Sequence, residues 1–146
     1  MKWQAILAGA SASVLVTLMA STASAEVRIS DDPGGNVVSY VGRYLQIRDS
    51  GQRVVIDGPC LSACTLVTGI VPRNRICVTN HAVLGFHAAS RYDDAMQSFM
   101  PTRGGSSLVM RLYPADIRHW IMRHGGLTPR MIALRGLELA AHYKIC

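Results

Sequence analysis

The spacing of hydrophobic and polar positions in the first half of the chain predicts a strand, a helix and a second strand. Residues 26–30, "EVRIS", alternate polar and apolar side chains, which is the pattern of a half-buried strand. Residues 36–51 carry apolar side chains at helical spacing, with Asn36 as a suitable N-cap and Gly51 as a suitable stop. Residues 53–57, "RVVID", form a β-branched run typical of a buried strand.

The same order of elements continues after the break at Gly58-Pro59. Residues 62–71, "SACTLVTGIV", predict a buried helix, and residues 75–80 and 82–87 predict two further strands. Strands separated by helices in this way indicate βαβ units. We therefore expect an α/β fold with a small, mainly parallel sheet flanked by helices.

The remaining third of the chain has a less regular pattern. Residues 88–105 lack a clear period and predict either a long, partly helical excursion over the sheet edge or a loose connection. Residues 106–126 predict a helix interrupted at Pro114. Residues 127–136 predict another helix, because their Thr-Pro pair is typical of a helix start. Residues 137–146 close the chain, with a last short strand expected there.

Three groups suited to chemistry each lie next to a predicted strand end. They are the turn "DDPGG" at residues 31–35, the turn "GPCLS" at residues 58–62, and His87. Crossover connections of the βαβ type place functional loops at the carboxyl ends of parallel strands. We therefore expect all three groups at one edge of one sheet.

The N-terminal residues have the three-part layout of a secretory signal peptide. Lys2 precedes an uncharged, mostly apolar run over residues 5–20, and the small residues "STASA" follow, which predicts cleavage after Ala25. An uncleaved membrane anchor is the alternative. Cleavage would leave 146 − 25 = 121 residues, enough for one domain over residues 26–146, in a periplasmic or secreted protein without a membrane span.

The chain contains four cysteines, and all of them follow the predicted leader: Cys60, Cys64, Cys77 and Cys146. An even number in an exported chain favours two disulfides over a zinc site, because no histidine pair completes a zinc-finger pattern. Four cysteines allow three pairings. The simplest joins the two neighbours, Cys60 and Cys64, and leaves Cys77 for Cys146.

The formal charge of +6 comes almost wholly from scattered arginines. They form no run and are not interleaved with aromatic residues, so the sequence gives no indication of nucleic-acid binding. Nothing in the pattern indicates a metal or a cofactor.

The serine, the glycines and the histidine suit acyl-transfer chemistry. A histidine can take the proton of a serine hydroxyl, and a serine that opens a helix is surrounded by free backbone N–H groups. The turn glycines, Gly34 and Gly35, let a substrate oxygen approach a further N–H group. The structural alternatives are a helix N-cap for Ser62 and a hydrogen-bonded strand-end histidine for His87.

Taken in order, these motifs over about residues 27–90 resemble the ClpP/crotonase superfamily, in particular exported bacterial relatives of the proteolytic subunit of Clp protease. "DDPGG" is similar to the family's Ser-Pro-Gly-Gly turn, which implies that Gly35 is an oxyanion donor. "GPCLS" is similar to its Gly-x-x-x-Ser turn, which implies that Ser62 is the nucleophile, with the Ala63 N–H beside it. "NHAVLGFH" is similar to the strand carrying the catalytic base, here His87, after an interval of 87 − 62 = 25 residues.

The chain departs from the family pattern in two respects. The family has further strands and a helix before the Pro-Gly-Gly turn, so the resemblance implies an N-terminally reduced version of its fold. The acid of the family's catalytic triad follows the base by several dozen residues. In the matching stretch, Glu138 is the only carboxylate and hence the candidate third member, while Asp93 and Asp94 are nearer to His87 in sequence.

The resemblance implies an exported, peptidase-like serine hydrolase that needs no cofactor and acts on a peptide or protein. It also implies a homo-oligomer, because members of the family assemble into rings. The alternative is a catalytically degenerate binding or assembly protein that keeps the fold.

Overall fold

The structure of the protein, a computed structural model, describes residues 25–146. The predicted signal peptide therefore lies outside the described residues, apart from Ala25 at its predicted cleavage site.

The described part of the chain is a mixed α/β structure. Its strands are β1 (Glu26–Ile29), β2 (Arg53–Ile56), β3 (Pro59–Leu61), β4 (Ile76–Val78), β5 (Val83–Phe86), β6 (Ser90–Asp93), β7 (Ser98–Pro101), β8 (Ile132–Arg135) and β9 (Lys144–Ile145). Its α-helices are α1 (Val37–Asp49), α2 (Val67–Ile70), α3 (Arg103–Leu112), α4 (Ala115–Arg123) and α5 (Gly136–Ala140), and 3₁₀ helices span Ser62–Leu66 and Arg73–Arg75.

The first sheet is small and entirely parallel, in the order β1-β2-β4-β9. Its central strand β2 is buried from Val54 to Ile56, as expected for a β-branched strand that is covered on both faces. Helix α1 connects β1 to β2, and Asn36 caps it by accepting a hydrogen bond from the Ser39 N–H. The predicted strand–helix–strand unit and its parallel sheet are therefore confirmed.

The chain leaves the first sheet at Gly58 and enters a second one. A Cβ atom on Gly58 would lie 1.8 Å from the carbonyl oxygen of Ser30, so only glycine allows the two backbones to approach this closely. Strand β3 follows at once and pairs in parallel with β5, whose other edge pairs in antiparallel fashion with β8.

Aromatic side chains connect the helices to this second sheet. Trp120 of α4 and Tyr113, which lies just before α4, both pack on Phe86 of β5, with ring centroids 5.8 and 5.3 Å from the Phe86 ring. On the other side, Tyr44 of α1 is fully buried and donates a hydrogen bond to the Cys64 carbonyl at 2.9 Å. Helices thus cover the strand that leads to His87 and the helical turn that begins at Ser62.

Two predicted segments have a different structure. Most of residues 88–105 form the antiparallel hairpin β6–β7 rather than an irregular excursion, and residues 127–136 contain strand β8 rather than a helix. In the hairpin, Tyr92 faces Phe99 across the strands with ring centroids 5.3 Å apart. In β8, burial of Leu134 against β5 outweighs the local preference of the Thr-Pro pair for a helix start.

Both disulfides join the cysteines that the simplest pairing predicts, Cys60 with Cys64 and Cys77 with Cys146. Such bonds form and persist in oxidising compartments, so they fit an extracellular protein. Among the helices of residues 25–146, none has both the length and the apolar character needed to cross a membrane.

Candidate functional site

The pairing of β3 with β5 brings Ser62 and His87 to the same place. Leu61 and Gly85 are partners in this parallel pair, so the residues that follow each strand emerge at the same end of the second sheet. Ser62 and His87 both line a cavity of about 750 Å³ at that end.

The backbone of Ser62 is held in an uncommon conformation. Its φ is +54°, in the left-handed region that non-glycine residues seldom occupy, and it is the first residue of a 3₁₀ helix. The Thr65 hydroxyl donates a hydrogen bond to the Ser62 carbonyl at 2.6 Å. Because that bond uses the only hydroxyl hydrogen of Thr65, the buried Tyr113 hydroxyl must be the donor in its own 2.6 Å bond to Thr65. The Tyr113 hydroxyl therefore donates to the Thr65 hydroxyl, which in turn donates to the Ser62 carbonyl, and this chain of two hydrogen bonds stabilises the turn.

The "DDPGG" turn packs directly on Ser62. Gly34 has φ +85°, and a Cβ atom there would lie 2.6 Å from the Ser62 Cβ and 2.5 Å from the Leu61 carbonyl oxygen. No larger residue fits between the turn and the serine. The turn is also joined to β3, because Asp32 and Cys60 form a parallel bridge.

Two backbone N–H groups beside the serine are available to a ligand. Within residues 25–146, the Gly35 N–H has no hydrogen-bond acceptor. Ala63 lies in the first turn of its 3₁₀ helix, where N–H groups lack intrahelical acceptors. These are the two predicted oxyanion donors. Ala63 follows Ser62 directly in the chain, and Gly35 follows Gly34, which contacts Ser62.

His87 lacks an orienting partner in this structure. Among the described residues its ring makes no hydrogen bond, either to the Ser62 hydroxyl or to a carboxylate. The carboxylate of Glu138, the candidate third member, lies 3.7 Å from the Nε2 atom of His124 and does not line the cavity. Asp93 instead accepts the N–H groups of Ala95 and Met96 at the tip of the hairpin.

The remaining walls of the cavity are mainly apolar and come from α1, the hairpin and α3. The large apolar side chains of these walls are Tyr92 and Phe99 of the hairpin and Leu108 of α3, and all three are exposed. The lining residues are Pro33, Gly34, Gly35, Asn36, Val37, Val38, Ser62, His87, Ala89, Ser90, Arg91, Tyr92, Phe99, Thr102, Gly105, Leu108 and Val109. None of them is acidic, and Arg91 is the permanently charged member.

A disulfide spans the serine. Cys60 and Cys64 lie two residues before and two residues after Ser62, and both are fully buried. Their bond closes the backbone around the left-handed serine, so the turn is fixed covalently as well as by hydrogen bonds.

Two contributors to the site were not identified from the sequence. The hairpin that forms one wall has no alternation of polar and apolar residues from which its strands could be predicted. The role of the Asp32 carboxylate in the turn, by contrast, was indicated by the sequence. An aspartate two residues before a glycine is typical of a turn in which the side chain accepts a backbone N–H, and Asp32 does so from Gly34 at 2.9 Å.

Within the described range, no cluster of three or more histidine, cysteine or acidic side chains is placed to hold a metal ion. Comparison of the sequence with models of known protein families and with curated proteins gives no match.

Proposed function

We propose that the protein is an exported, peptidase-like serine hydrolase with Ser62 as its nucleophile. The observation that supports this most strongly is the placement of Ser62, which is held at φ +54° against Gly34 and shares one cavity with His87. A serine held on a strained turn at the end of a strand is exposed for attack, and strain of this kind is concentrated at functional sites. Export, with cleavage after Ala25, and assembly of several copies belong to the same proposal.

In this mechanism Ser62 attacks the carbonyl carbon of a peptide or ester. His87 takes the hydroxyl proton as the new bond forms, and later returns it to the leaving group. The N–H groups of Gly35 and Ala63 hold the oxyanion, and each such donor contributes about 3–4 kcal/mol in the transition state. A water molecule then attacks the acyl group on Ser62. His87 takes the proton of the water and returns it to the Ser62 oxygen as the acyl product leaves.

The open geometry of the Ser62–His87 pair is compatible with this mechanism. Catalytic hydrogen bonds are often long or misaligned without substrate and tighten only in the complex. The absence of an acidic side chain from the cavity lining implies a slow enzyme, since loss of the carboxylate that orients the histidine lowers the rate by about four orders of magnitude in a serine protease triad.

The same absence favours a second candidate function, a binding or assembly protein that keeps the fold without catalysis. In that case the apolar walls of the cavity bind a partner segment, and Ser62 serves only as a turn residue. The two candidates differ in one measurable property, the reactivity of the Ser62 hydroxyl.

Labelling with a fluorophosphonate probe tests this property directly. We expect wild type to be labelled at Ser62, as located by peptide mass analysis, and Ser62→Ala to be unlabelled. His87→Ala should be labelled at least about 100-fold more slowly, since general-base assistance contributes 10²–10⁴-fold.

Ser90→Ala is the matched control, because Ser90 is a second serine of the cavity wall. It should be labelled at the wild-type rate. If folded wild type and Ser62→Ala are equally unreactive, the hydrolase proposal is wrong and the binding function is favoured.

A further inference from the structure

The carboxylate of Asp32 lies at the centre of the hydrogen bonds that hold the glycine turn. Its Oδ1 atom accepts the Gly34 N–H at 2.9 Å and also the Tyr40 hydroxyl, and its Oδ2 atom lies 3.3 Å from the Arg43 guanidinium. Only 13% of the Asp32 side chain is exposed. One carboxylate therefore connects the turn to two side chains of α1.

The backbone of Asp32 connects the same turn to the strand that leads to Ser62. Its N–H donates to the Pro59 carbonyl, and its own carbonyl accepts the Leu61 N–H, both at 2.8 Å. Asp32 thus contacts the glycine turn, helix α1 and strand β3.

The Gly35 N–H belongs to a peptide unit between two glycines, and such a unit has little intrinsic preference for one orientation. Two hydrogen bonds restrict the orientation of this peptide unit. Asp32 fixes the N–H of Gly34 on one side, and the Asn36 cap fixes the start of α1 on the other. Without the carboxylate, the peptide unit would be free to rotate and to change the direction of its N–H group relative to Ser62.

A carboxylate close to an oxyanion would repel it unless its negative charge were balanced, and the neighbours of Asp32 supply that balance. Arg43 balances its charge, and the Arg43 guanidinium also lies 5.9 Å from the centre of the Tyr40 ring. Burial and the hydrogen bond to Asp32 raise the pKa of Tyr40 to about 12, so its hydroxyl remains a donor at physiological pH.

We propose that Asp32 is a positioning residue that acts through Gly34 to direct the Gly35 N–H into the oxyanion site. The inference rests on the proposed hydrolase function for its kinetic effect, but the orientation of the turn can be measured without activity.

The test compares Asp32→Ala with Asp32→Asn. The alanine variant should lower the second-order rate constant of fluorophosphonate labelling by about 10- to 100-fold, somewhat less than the 10²–10³-fold loss expected when a whole donor is removed. The asparagine variant keeps an oxygen acceptor for Gly34 and Tyr40, so it should restore the rate to within about threefold of wild type.

Asp31→Ala is the matched control. Asp31 is the neighbouring acidic residue, it is exposed, and its side chain has no hydrogen-bond partner in the described part of the chain. We expect it to be labelled at the wild-type rate. Where wild type is labelled, Asp32→Ala labelled as fast as Asp31→Ala would overturn the proposal.

Amide hydrogen exchange measured by NMR gives the second readout. Removal of the acceptor should make the Gly34 amide exchange at least about tenfold faster in Asp32→Ala, with the Gly35 resonance shifted and distant amides unchanged. An unaltered Gly34 exchange rate contradicts the inference, whatever the labelling shows. If wild type is unreactive, the hydrolase proposal fails, and this readout alone decides whether Asp32 orients the turn.

Tyr40→Phe covers the case in which Asp32→Ala does not fold. This variant keeps the ring against Gly35 and removes only the hydroxyl that holds the carboxylate. Slower labelling or faster Gly34 exchange supports the proposal, and wild-type values in both overturn it.

Discussion

At the scale of single residues, the two glycines of the turn meet different steric demands, and only glycine fits at position 34. Gly34 combines a left-handed backbone with contact to Ser62, whereas Gly35 has an ordinary backbone, and a Cβ there would first meet the Tyr40 ring at 3.4 Å. The two glycines therefore have different roles. Gly34 allows the turn to touch the serine, and Gly35 carries an N–H group that has no acceptor among residues 25–146.

We expect Gly34→Ala to remove the site and to lower stability. The added methyl group would overlap Ser62 and the Leu61 carbonyl, and alanine at φ +85° is strained by about 1–3 kcal/mol. The rate constant of fluorophosphonate labelling should fall at least about 100-fold, and denaturant unfolding should show the loss of stability.

Gly104→Ala is the control for this substitution. A Cβ atom there meets nothing within 4 Å, and alanine in a helix is favoured over glycine by about 1 kcal/mol. This variant should be equally or more stable and should keep the wild-type labelling rate. Equal behaviour of the two alanine variants would contradict the contact between Gly34 and Ser62.

At the scale of elements, the two disulfides have different tasks. The bond between Cys60 and Cys64 spans only 4 residues, whereas the bond between Cys77 and Cys146 spans 69. Loop-closure entropy gives about 2 kcal/mol for the short loop and about 4 kcal/mol for the long one. The short bridge is therefore the weaker source of stability, although it encloses the serine.

This difference predicts that removal of the short bridge affects mainly the labelling rate, whereas removal of the long bridge affects mainly the free energy of unfolding. Cys60→Ala with Cys64→Ala should cost about 2 kcal/mol in unfolding free energy and slow the labelling of Ser62 by at least about tenfold, because the left-handed turn loses its covalent brace. Cys77→Ala with Cys146→Ala should cost about 4 kcal/mol and leave the labelling of the folded protein unchanged. If both pairs affect labelling equally, the short bridge has no special role at the site.

The sequence predicts the elements whose pattern is local and strong. Strands β1, β2, β4 and β5, helix α1 and the helical break at Pro114 all appear where the periodicity places them. Their β-branched or amphipathic patterns and their caps agree with their burial, so local preference and tertiary packing act in the same direction.

Hairpin β6–β7 and strand β8 could not be predicted in this way, because long-range pairing determines both. The hairpin leaves Phe99 70% exposed, so it shows no alternation of buried and exposed positions. The grouping of Gly34, Ser62 and His87 was predicted from strand ends, and all three residues line one cavity. The expectation that they extend from one sheet was wrong, because the glycine turn follows β1 of the first sheet and the other two follow strands of the second. The role of Asp32 depends on a side-chain direction that periodicity does not reveal.

At the scale of the whole molecule, one carboxylate connects three separate segments. Asp116 of α4 receives two hydrogen bonds from Arg73, at 2.6 and 2.8 Å, and its Oδ2 atom lies 2.8 Å from the Nδ1 atom of His142. Partial burial disfavours the charged form, yet the hydrogen bonds from Arg73 and His142 hold the pKa of Asp116 well below its usual range. The cluster therefore connects α4 to the Arg73–Arg75 turn and to the segment before β9.

The lowered pKa determines how stability changes with pH. The unfolded carboxyl titrates near pH 4, so the contribution of the cluster is complete above that pH and is lost as the pH falls towards the lower folded pKa. Because the groups are partly exposed, Asp116→Asn should cost only about 0.5–1 kcal/mol at pH 7, or about 2–4 °C in Tm. This difference from wild type should shrink between pH 4 and pH 2.

Thermal unfolding of both proteins across that pH range checks this prediction. Asp94→Asn is the control, because Asp94 is exposed and its side chain has no ion-pair partner among residues 25–146. Its Tm should follow that of wild type at every pH. A difference for Asp116→Asn that persists unchanged at pH 2 would contradict an ionised cluster.

The chain crosses from one sheet to the other between β2 and β3, and this crossing divides the site into two parts. The glycine turn extends from β1 of the first sheet, whereas Ser62 and His87 both extend from strands of the second. The Gly35 and Ala63 N–H groups therefore extend from different sheets, and the Gly58 contact and the backbone of Asp32 hold these sheets together. A substitution that loosened this joint would change the separation between the Gly35 N–H and Ser62, while the Ala63 N–H would stay next to the serine.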